Sequence, residues 1–523
     1  MLKKGRPFRG NCWTKRMYQR SFYIGSTTCH LRLRQSPCRI DESAIWFGCP
    51  LIGDDTTISD STLSNDSRMR GYFLRVVSSS DSLNLTTDLC GGFRLYYIHI
   101  GNEYWYSDDY CYLLSVARER GEIEIDDHEF EFWQRHRYTT GGRTYFKGLH
   151  KLPPGATISH DGNERRVLNL MLPSSNNPDA SEHTKEVEEE LRATLRIIRS
   201  TGRRVILSFS GGADSTLLAL ICREENLDLV PVFLQAVPAY AENDRDFARA
   251  TVVAKQIGFP LTIIDTPLDL DDELTERIES RMLFDRHVSL LHFSGMREVA
   301  RQYGTDCIIL SGQGADSVLS FGPTQRTRGD FVARLLATYP FSQASKFAAR
   351  IVSRRLSKKL RTPQNRHEFM RSFLDQEYYY SLVKPDDSLA DYLDSHVKRV
   401  LTPDTHTLSH LMRLKIDGFL QGSDNQVVIQ SALSAGIDGV VMPFVSPAII
   451  SATVRHKHSL LDLVHPKYPV RRLLAKYRFA EPRTVNQTRS YDLSCDALEQ
   501  AIAARLDESR IAIMHSSHGV GVS

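Results

Sequence analysis

The chain has 523 residues with a formal net charge of +3, and 41% of its residues are hydrophobic and 25% charged. This length predicts two or three domains and is sufficient to bury a large core. The near-neutral charge does not indicate nucleic acid as a partner. Nine scattered cysteines without a Cys-x-x-Cys pair are typical of a reduced compartment, so we expect a cytoplasmic protein.

The chain begins with a basic segment, residues 1–22, whose first twenty residues contain seven Lys or Arg and no acid. No apolar run of signal-peptide length follows it, so we expect an extension without fixed structure rather than an export signal. Met17 is a candidate for the true initiator. Residues 23–180 alternate apolar and polar side chains, as in Phe93–Ile100, and predict an antiparallel β domain.

A linker follows this β-rich domain at Leu172–Ala180, where turn-forming residues have nothing to bury. The next segment, Glu182–Ile198, has the apolar periodicity of an amphipathic helix. These two features predict a domain boundary near residue 180 and a second domain over residues 181–505.

The second domain opens with the apolar run Val205–Leu207 and the turn Ser210-Gly-Gly-Ala-Asp-Ser215, followed by a helix from Thr216 to Ile221. Glycines let the backbone approach a pyrophosphate, and the free N–H groups of a first helical turn point at it. Asp214 suits a Mg²⁺ ion carried by a nucleotide rather than the phosphate itself. The turn lacks the lysine of a Walker P-loop and resembles the PP-loop of N-type ATP pyrophosphatases.

A second buried strand, Cys307–Leu310, runs into another glycine turn, Ser311-Gly-Gln-Gly-Ala-Asp-Ser317. Neighbouring parallel strands would place Asp214 and Asp316 at the same carboxyl edge, where doubly wound sheets bind ligands. We therefore predict that these two carboxylates share one Mg²⁺–triphosphate.

Strands and helices alternate between the two turns, which predicts a doubly wound parallel sheet. The predicted elements are a strand over Leu229–Leu234, a helix over Asp246–Ile257, a strand over Leu261–Ile264 and a helix over Leu291–Tyr303.

The C-terminal half carries weaker signals. The segment Lys346–Arg371 is strongly basic and is either a solvated helix face or a surface that binds an anion or peptide. The apolar stretch Gly439–Val454 is too short to span a bilayer and contains two prolines, so we expect no membrane span. Residues 506–523 are predicted to be a flexible tail.

The order of a β-rich domain, SGGADS and SGQGAD resembles the asparagine synthetase family. The stretch Thr144–Gly155 is similar to the end of that family's glutaminase domain, Met442-Pro-Phe444 to its Val-Pro-Phe segment, and Lys467-Tyr-Pro-Val-Arg-Arg472 to its Lys-x-x-x-Arg run. The resemblance implies an N-terminal nucleophile amidotransferase-like fold for the first domain. For the second domain it implies an adenine nucleotide alpha hydrolase-like α/β fold, a doubly wound parallel sheet with a helical C-terminal part.

Departures from the family pattern refine this expectation. Glutamine-using members carry a cysteine directly after the initiator methionine, where this chain has Leu2, or Tyr18 if Met17 is the start. We expect a degenerate first domain without glutaminase activity. The family's glutamate is replaced by Gln313, whose carboxamide cannot act as a base. The family branches with a changed nucleophile include β-lactam synthetases and lasso peptide macrolactam cyclases, and the Tyr468–Arg471 run is more similar to the latter.

The resemblance thus implies an AMP-forming carbon–nitrogen ligase that uses ATP and Mg²⁺. It would adenylate an Asp or Glu side chain of a ribosomally made precursor peptide, join it to the peptide's N-terminal amine, and work with a leader peptidase in antibiotic biosynthesis. By analogy Asp214 and Asp316 hold the metal, and Arg489, with Lys467 behind it, faces the departing pyrophosphate. The implied ATP-binding residues are Ser208, Ser210, Gly211, Gly212, Asp214, Ser215, Leu234, Ser311 and Gly312.

Two other hypotheses stay open. One is a small-molecule amide ligase of the asparagine synthetase or β-lactam synthetase type, with free ammonia as a possible nitrogen source. The other is a non-catalytic synthetase-like scaffold, against which the two retained aspartates, Asp214 and Asp316, argue.

Overall fold

The computed structural model describes residues 17–319 with gaps, residues 412–416 without 414, and residues 424–456 and 467–479. The gaps in the first range are 42–43, 52–68, 90, 121–123, 131–138, 140–141, 162–163, 170–179, 270 and 283–288. Several predicted features lie outside the described residues: most of the basic extension and of the 172–180 linker, the basic segment 346–371, Arg489 and the tail 506–523.

The N-terminal part is β-rich. Its elements are β1 (Tyr18–Ile24), β2 (Thr27–Leu33), β3 (Arg39–Ile40), β4 (Ile45–Gly48), β5 (Phe73–Ser78), β6 (Ser82–Thr87), β7 (Tyr96–Ile100), β8 (Glu103–Ser107), α1 (Tyr110–Glu119), β9 (Glu124–Ile125), β10 (Phe146–Lys147), β11 (His150–Lys151), β12 (Ala156–Asp161) and β13 (Glu164–Asn169).

Two larger sheets form this part, with strand orders β1-β2-β8-β7-β11 and β13-β12-β6-β5-β4-β3. Buried and part-exposed residues alternate along β6, as they should in a strand with one face in the core, and Leu83 and Leu85 are fully buried. Within the described residues of this part, the strands pair antiparallel as predicted, except β2 with β8, which run parallel. The long connection between these two strands makes a parallel pairing possible.

The second part contains the predicted α/β domain. Its elements are α2 (Ala180–Ser200), β14 (Arg204–Ser208), α3 (Ala213–Glu224), β15 (Leu229–Val237), α4 (Ala241–Ile257), β16 (Thr262–Pro267), α5 (Asp272–Met282), α6 (Leu290–Tyr303), β17 (Cys307–Ser311), α7 (Ala315–Leu319), α8 (Asp424–Ser434), β18 (Gly439–Val441), a 3₁₀ turn (Pro443–Val445), α9 (Pro447–Arg455) and α10 (Tyr468–Lys476).

The predicted parallel sheet is confirmed. Its five strands have the order β16-β15-β14-β17-β18, and every neighbouring pair is parallel. The chain builds outward from β14 to β16 and then continues on the other side of β14 with β17. The strand order therefore reverses between β14 and β17, the point where sheets of this kind bind ligands.

The largest difference in a predicted helix start is found in the helix after β15. The helix predicted from Asp246 begins at Ala241 as α4. Its first turn is polar, so the apolar period becomes visible only at Phe247. Asn243 connects this turn to β15, because its side chain accepts a bond from Ala236 N and donates one to Leu234 O.

The two parts of the chain are joined by buried polar contacts. Arg70 of the β-rich part forms a two-pronged ion pair with Glu190 of α2, with both N···O distances 2.6 Å. The Tyr72 hydroxyl donates to the carbonyl of Asp438 at 2.7 Å, just before β18. Apolar residues from both parts lie in one continuous core. The β-rich part is thus packed firmly on the sheet that carries the glycine turns.

No helix within the described ranges is both long enough and apolar enough to cross a membrane.

Candidate active site

The first glycine turn connects β14 to α3. Gly211 has φ +66°, a left-handed conformation that favours glycine, and a Cβ there would lie 2.8 Å from Ala250 Cα of α4. Gly212 is the N-cap residue of α3 and has no side chain that could accept a hydrogen bond from the first turn. The first-turn N–H groups of α3 are therefore not capped by that residue's side chain, which leaves an anion-binding geometry.

The second glycine turn connects β17 to α7 and lies against the first. A Cβ on Gly312 would be 2.9 Å from Asp214 Cβ and 3.1 Å from Ser215 N. Glycine at this position therefore allows the two turns to touch. Gln313 follows in the same turn, and its backbone N–H donates to Ser311 Oγ at 3.2 Å.

Lys467 lies between the two predicted metal-binding aspartates. Its Nζ is 2.5 Å from Asp214 Oδ2 and 2.8 Å from Asp316 Oδ2. The two carboxylate oxygens are therefore no further apart than the sum of these distances. Only 8% of Lys467 is exposed. The structure thus brings together three residues that are separated in the sequence by more than a hundred positions each.

The backbone of Lys467 is unusual. It has φ +57° and ψ +36° and caps the start of α10. A non-glycine residue in this region carries a conformational cost, and such residues cluster at functional sites. The α10 helix packs on α2 and α3, so its N-terminal end is directed at the glycine turns.

The pKa of Lys467 is raised above its ordinary value. Burial alone would disfavour the ammonium ion and lower the pKa, but the charges of Asp214 and Asp316 and their hydrogen bonds outweigh it. Lys467 is therefore a cation at neutral pH and balances part of the charge of the two carboxylates.

The carboxylate pair fits Mg²⁺. Proteins bind this ion through one or two carboxylates and complete its shell with substrate phosphates and water. Asp214 and Asp316 supply such a pair beside the uncapped N-terminus of α3. Among the residues that the structure describes, no group of three or more His, Cys, Asp or Glu side chains is placed to hold a metal ion.

The remaining predicted residues surround this centre in different ways. Ser208 and Ser311 end the two central strands and are register partners. Ser215 Oγ donates to Gly212 O at 3.2 Å, and Ser210 Oγ accepts from Gly212 N at 3.3 Å. Leu234 of the neighbouring strand β15 packs against Gly295 of α6. A Cβ added to Gly295 would lie 2.5 Å from Leu234 Cδ1.

Two further residues at this site carry no signal in the sequence. Arg249 of α4 donates from Nε to the carbonyl of Ser210 at 3.0 Å and pairs with Asp246 at 2.8 Å. Lys415 is fully buried and donates to Ser317 O at 3.0 Å. Neither belongs to a recognisable motif, so only the folded structure identifies them.

Three solved structures are similar to this chain at low scores. NMN synthetase from Francisella tularensis is 11% identical over 44% of this chain and 100% of its own, with a TM-score of 0.20. NAD+ synthetase from Burkholderia pseudomallei is 17% identical over 42% of this chain and 91% of its own, with a TM-score of 0.17. Glutamine-dependent NAD+ synthetase from Acinetobacter baumannii, in complex with ADP, is 12% identical over 75% of this chain and 78% of its own. Its TM-score is 0.19. TM-scores this low do not establish a relationship, and no curated protein matches the chain.

A family comparison is more informative. The asparagine synthase family model matches residues 186–478, more than half of the chain. This range contains both glycine turns and Lys467, the residues that the fold brings to one edge of the sheet. The chain belongs to the asparagine synthase family.

Proposed function

We propose that this chain is an ATP-dependent macrolactam cyclase. It would adenylate an Asp or Glu side chain of a ribosomally made precursor peptide and join that acyl group to the peptide's N-terminal amine. Membership of the asparagine synthase family supports the coarser activity, an ATP-dependent amide-forming ligase. The finer assignment is supported by Gln313, whose carboxamide cannot act as a base, and by the run Tyr468–Arg471.

The contact of Lys467 with both Asp214 and Asp316 is the observation on which this function depends. Two acidic side chains and one cation meet where the two glycine turns touch. A triphosphate bound on the turns would have the first-turn N–H groups of α3 along its oxygens. When bound, Mg²⁺ would neutralise part of the phosphate charge through the two aspartates.

The reaction would take two steps. A carboxylate oxygen of the peptide attacks the α-phosphorus of ATP, and pyrophosphate leaves. In this scheme Lys467 neutralises the charge that develops on this leaving group. The peptide's terminal amine then attacks the activated carbonyl, loses a proton, and AMP leaves.

Placement supplies much of the catalysis in this scheme. The amine has a reference pKa near 8 and is partly neutral at pH 7. Holding two ends of one chain in attack geometry contributes roughly 7–11 kcal/mol. The carboxamide of Gln313 is therefore compatible with this chemistry, because a strong base is not needed.

Pyrophosphate release assayed with purified full-length protein, ATP and Mg²⁺ tests the proposal. Acidic peptides encoded next to this gene, with their leaders removed, are compared with free aspartate and glutamate. We expect peptide-dependent pyrophosphate and a product that has lost one water by mass spectrometry. If only the free amino acids are turned over, the result would favour the small-molecule ligase. If no acid is turned over, even when a peptidase partner is added, the result would favour the scaffold.

A further inference from the structure

A buried carboxamide lies against the second glycine turn. Asn425, in the first turn of α8, is only 4% exposed. Both its Nδ2 and its Oδ1 lie 3.5 Å from the position that a Cβ on Gly314 would occupy. Gly314 has φ +85° and stands between Gln313 and α7. The amide group of Asn425 is thus directly beside the turn that carries Asp316.

The donor of this carboxamide is unsatisfied. Within the described part of the chain, Asn425 Nδ2 is buried and makes no hydrogen bond. Buried polar groups are nearly always bonded, because an unpaired donor loses its water without compensation. An unpaired donor at a ligand-binding edge is therefore best explained by an acceptor that arrives with a ligand.

The helix that carries Asn425 is fixed by other amides. Gln426, the next residue, donates from Nε2 to the carbonyl of Gly91 at 2.6 Å, and Gln430 donates to Gln426 Oε1 at 3.1 Å. Arg281 donates to Gln430 Oε1 at 3.3 Å. The first of these bonds holds α8 on the β-rich part and the last connects it to α5, so Asn425 is fixed beside the turn. A donor held in this way loses little conformational freedom when a ligand binds.

The chemistry of the position indicates the ligand. Gln313 in the turn and Asn425 beside it are both uncharged amides, whereas the phosphate side of the site holds Lys467, Asp214 and Asp316. A carboxamide N–H₂ pairs well with a carbonyl oxygen, and it offers no charge to match the ammonium and carboxylate of a free amino acid.

We infer that Asn425 is a substrate-binding residue whose Nδ2 donates to a peptide-group carbonyl oxygen next to the carboxylate being activated. The inference rests on the proposed function and deepens it. It assigns the acyl site to acids embedded in a peptide chain, and it gives the β-rich part a role in holding the residue that selects them.

Minimal substrates test this directly. N-acetyl-L-glutamate N-methylamide and its aspartate counterpart carry the side-chain carboxylate between two peptide groups, and free L-glutamate and L-aspartate carry none. Acid-dependent pyrophosphate release is measured for each with the wild-type protein and with Asn425→Asp, which keeps the size of the side chain but removes the donor. Gln302→Glu makes the same change at an exposed position of α6 and serves as the control.

We expect the wild type to prefer the blocked acids and Asn425→Asp to raise their KM roughly tenfold. The KM for ATP should stay unchanged, and Gln302→Glu should match the wild type. An increase confined to the KM for ATP would assign the donor to the nucleotide and overturn the inference. Equal use of free and blocked acids by the wild type would also overturn it.

Two further measurements keep the outcomes separable. Thermal unfolding checks that Asn425→Asp is folded, and Asn425→Ala replaces it if it is not. Should no acid be turned over, the proposed function fails, and calorimetric binding of N-acetyl-L-glutamate N-methylamide in the presence of ATP then tests the inference alone. Roughly tenfold weaker binding to the variant than to the wild type supports it, and equal or undetectable binding to both contradicts it.

Discussion

Ser208 and Ser311 are register partners at the ends of the two central parallel strands. The residues that follow them form the two glycine turns. The two turns therefore begin side by side, at the same register position of neighbouring strands. Asp214 and Asp316 then occupy the first turns of α3 and α7. Lys467 contacts both carboxylates because the strand register has already brought them together.

The first prediction concerns this cation. Lys467→Met should lower pyrophosphate release about 10²–10³-fold, because a preorganised charge facing a leaving group is lost. Lys467→Arg, which keeps the charge but changes its shape, should retain part of the activity. Arg489→Ala tests the other predicted cation in the same assay. A Lys467→Met variant with wild-type rates would remove this residue from the mechanism.

Asp316→Asn tests the metal assignment. The variant keeps the size of the side chain but removes one anionic ligand, so the Mg²⁺ concentration that gives half-maximal activity should rise about tenfold or more. A Mg²⁺ titration of pyrophosphate release at saturating ATP measures this shift. Asp306→Asn, at an exposed aspartate beside β17, is the matched control. An unchanged midpoint in Asp316→Asn would contradict a metal role.

Gly312→Ala tests the contact between the turns. The added methyl group would lie 2.9 Å from Asp214 Cβ, so the turns must separate. We expect a stability loss of about 1–3 kcal/mol in chemical denaturation, together with weaker ATP binding by calorimetry. Gly202→Ala has a positive φ but no neighbour within 4 Å of its new Cβ. It should cost only about 1 kcal/mol and leave ATP binding intact, and equal effects of both changes on ATP binding would contradict the prediction.

Acid stability should depend on the ion pairs around Arg192. Hydrogen bonds from Arg196 and Arg192 lower the pKa of Glu225 below its ordinary 4.5, although burial opposes this. A lowered pKa in the folded state stabilises the protein above pH 4.5, and this contribution is lost as the pH falls through the lower folded value. Arg192→Met should therefore destabilise the protein at pH 7, and this effect should shrink as the pH falls from 4.5 through the lower folded value. Urea denaturation across this range measures the difference, and a constant difference would contradict the assignment.

Much of the α/β domain could be predicted from local sequence. The glycine turns, the alternation of strands and helices and the placement of both aspartates follow from short segments whose pattern decides their structure. The N-terminal amidotransferase-like fold stays a prediction, since a β-rich pair of sheets does not by itself define it.

Other features depend on tertiary packing and could not be predicted. The contact of Lys467 with both aspartates could not be predicted, because the position of Lys467 depends on the packing of α10 against α2 and α3. Arg249 and Asn425 lie on helices whose apolar period gives no reason to single out a polar residue. Their proximity to the turns results from contacts between elements far apart in the chain.

The hydrogen bonds that connect Gly91, Tyr72 and Arg70 to the α/β domain have an evolutionary consequence. A chain without the β-rich part would lose the acceptors of Gln426 Nε2 and the ion pair of Glu190 with Arg70. It would also expose apolar surface of the shared core. Such a truncated chain would be prone to aggregate, so selection would retain the β-rich part whether or not it carries chemistry of its own.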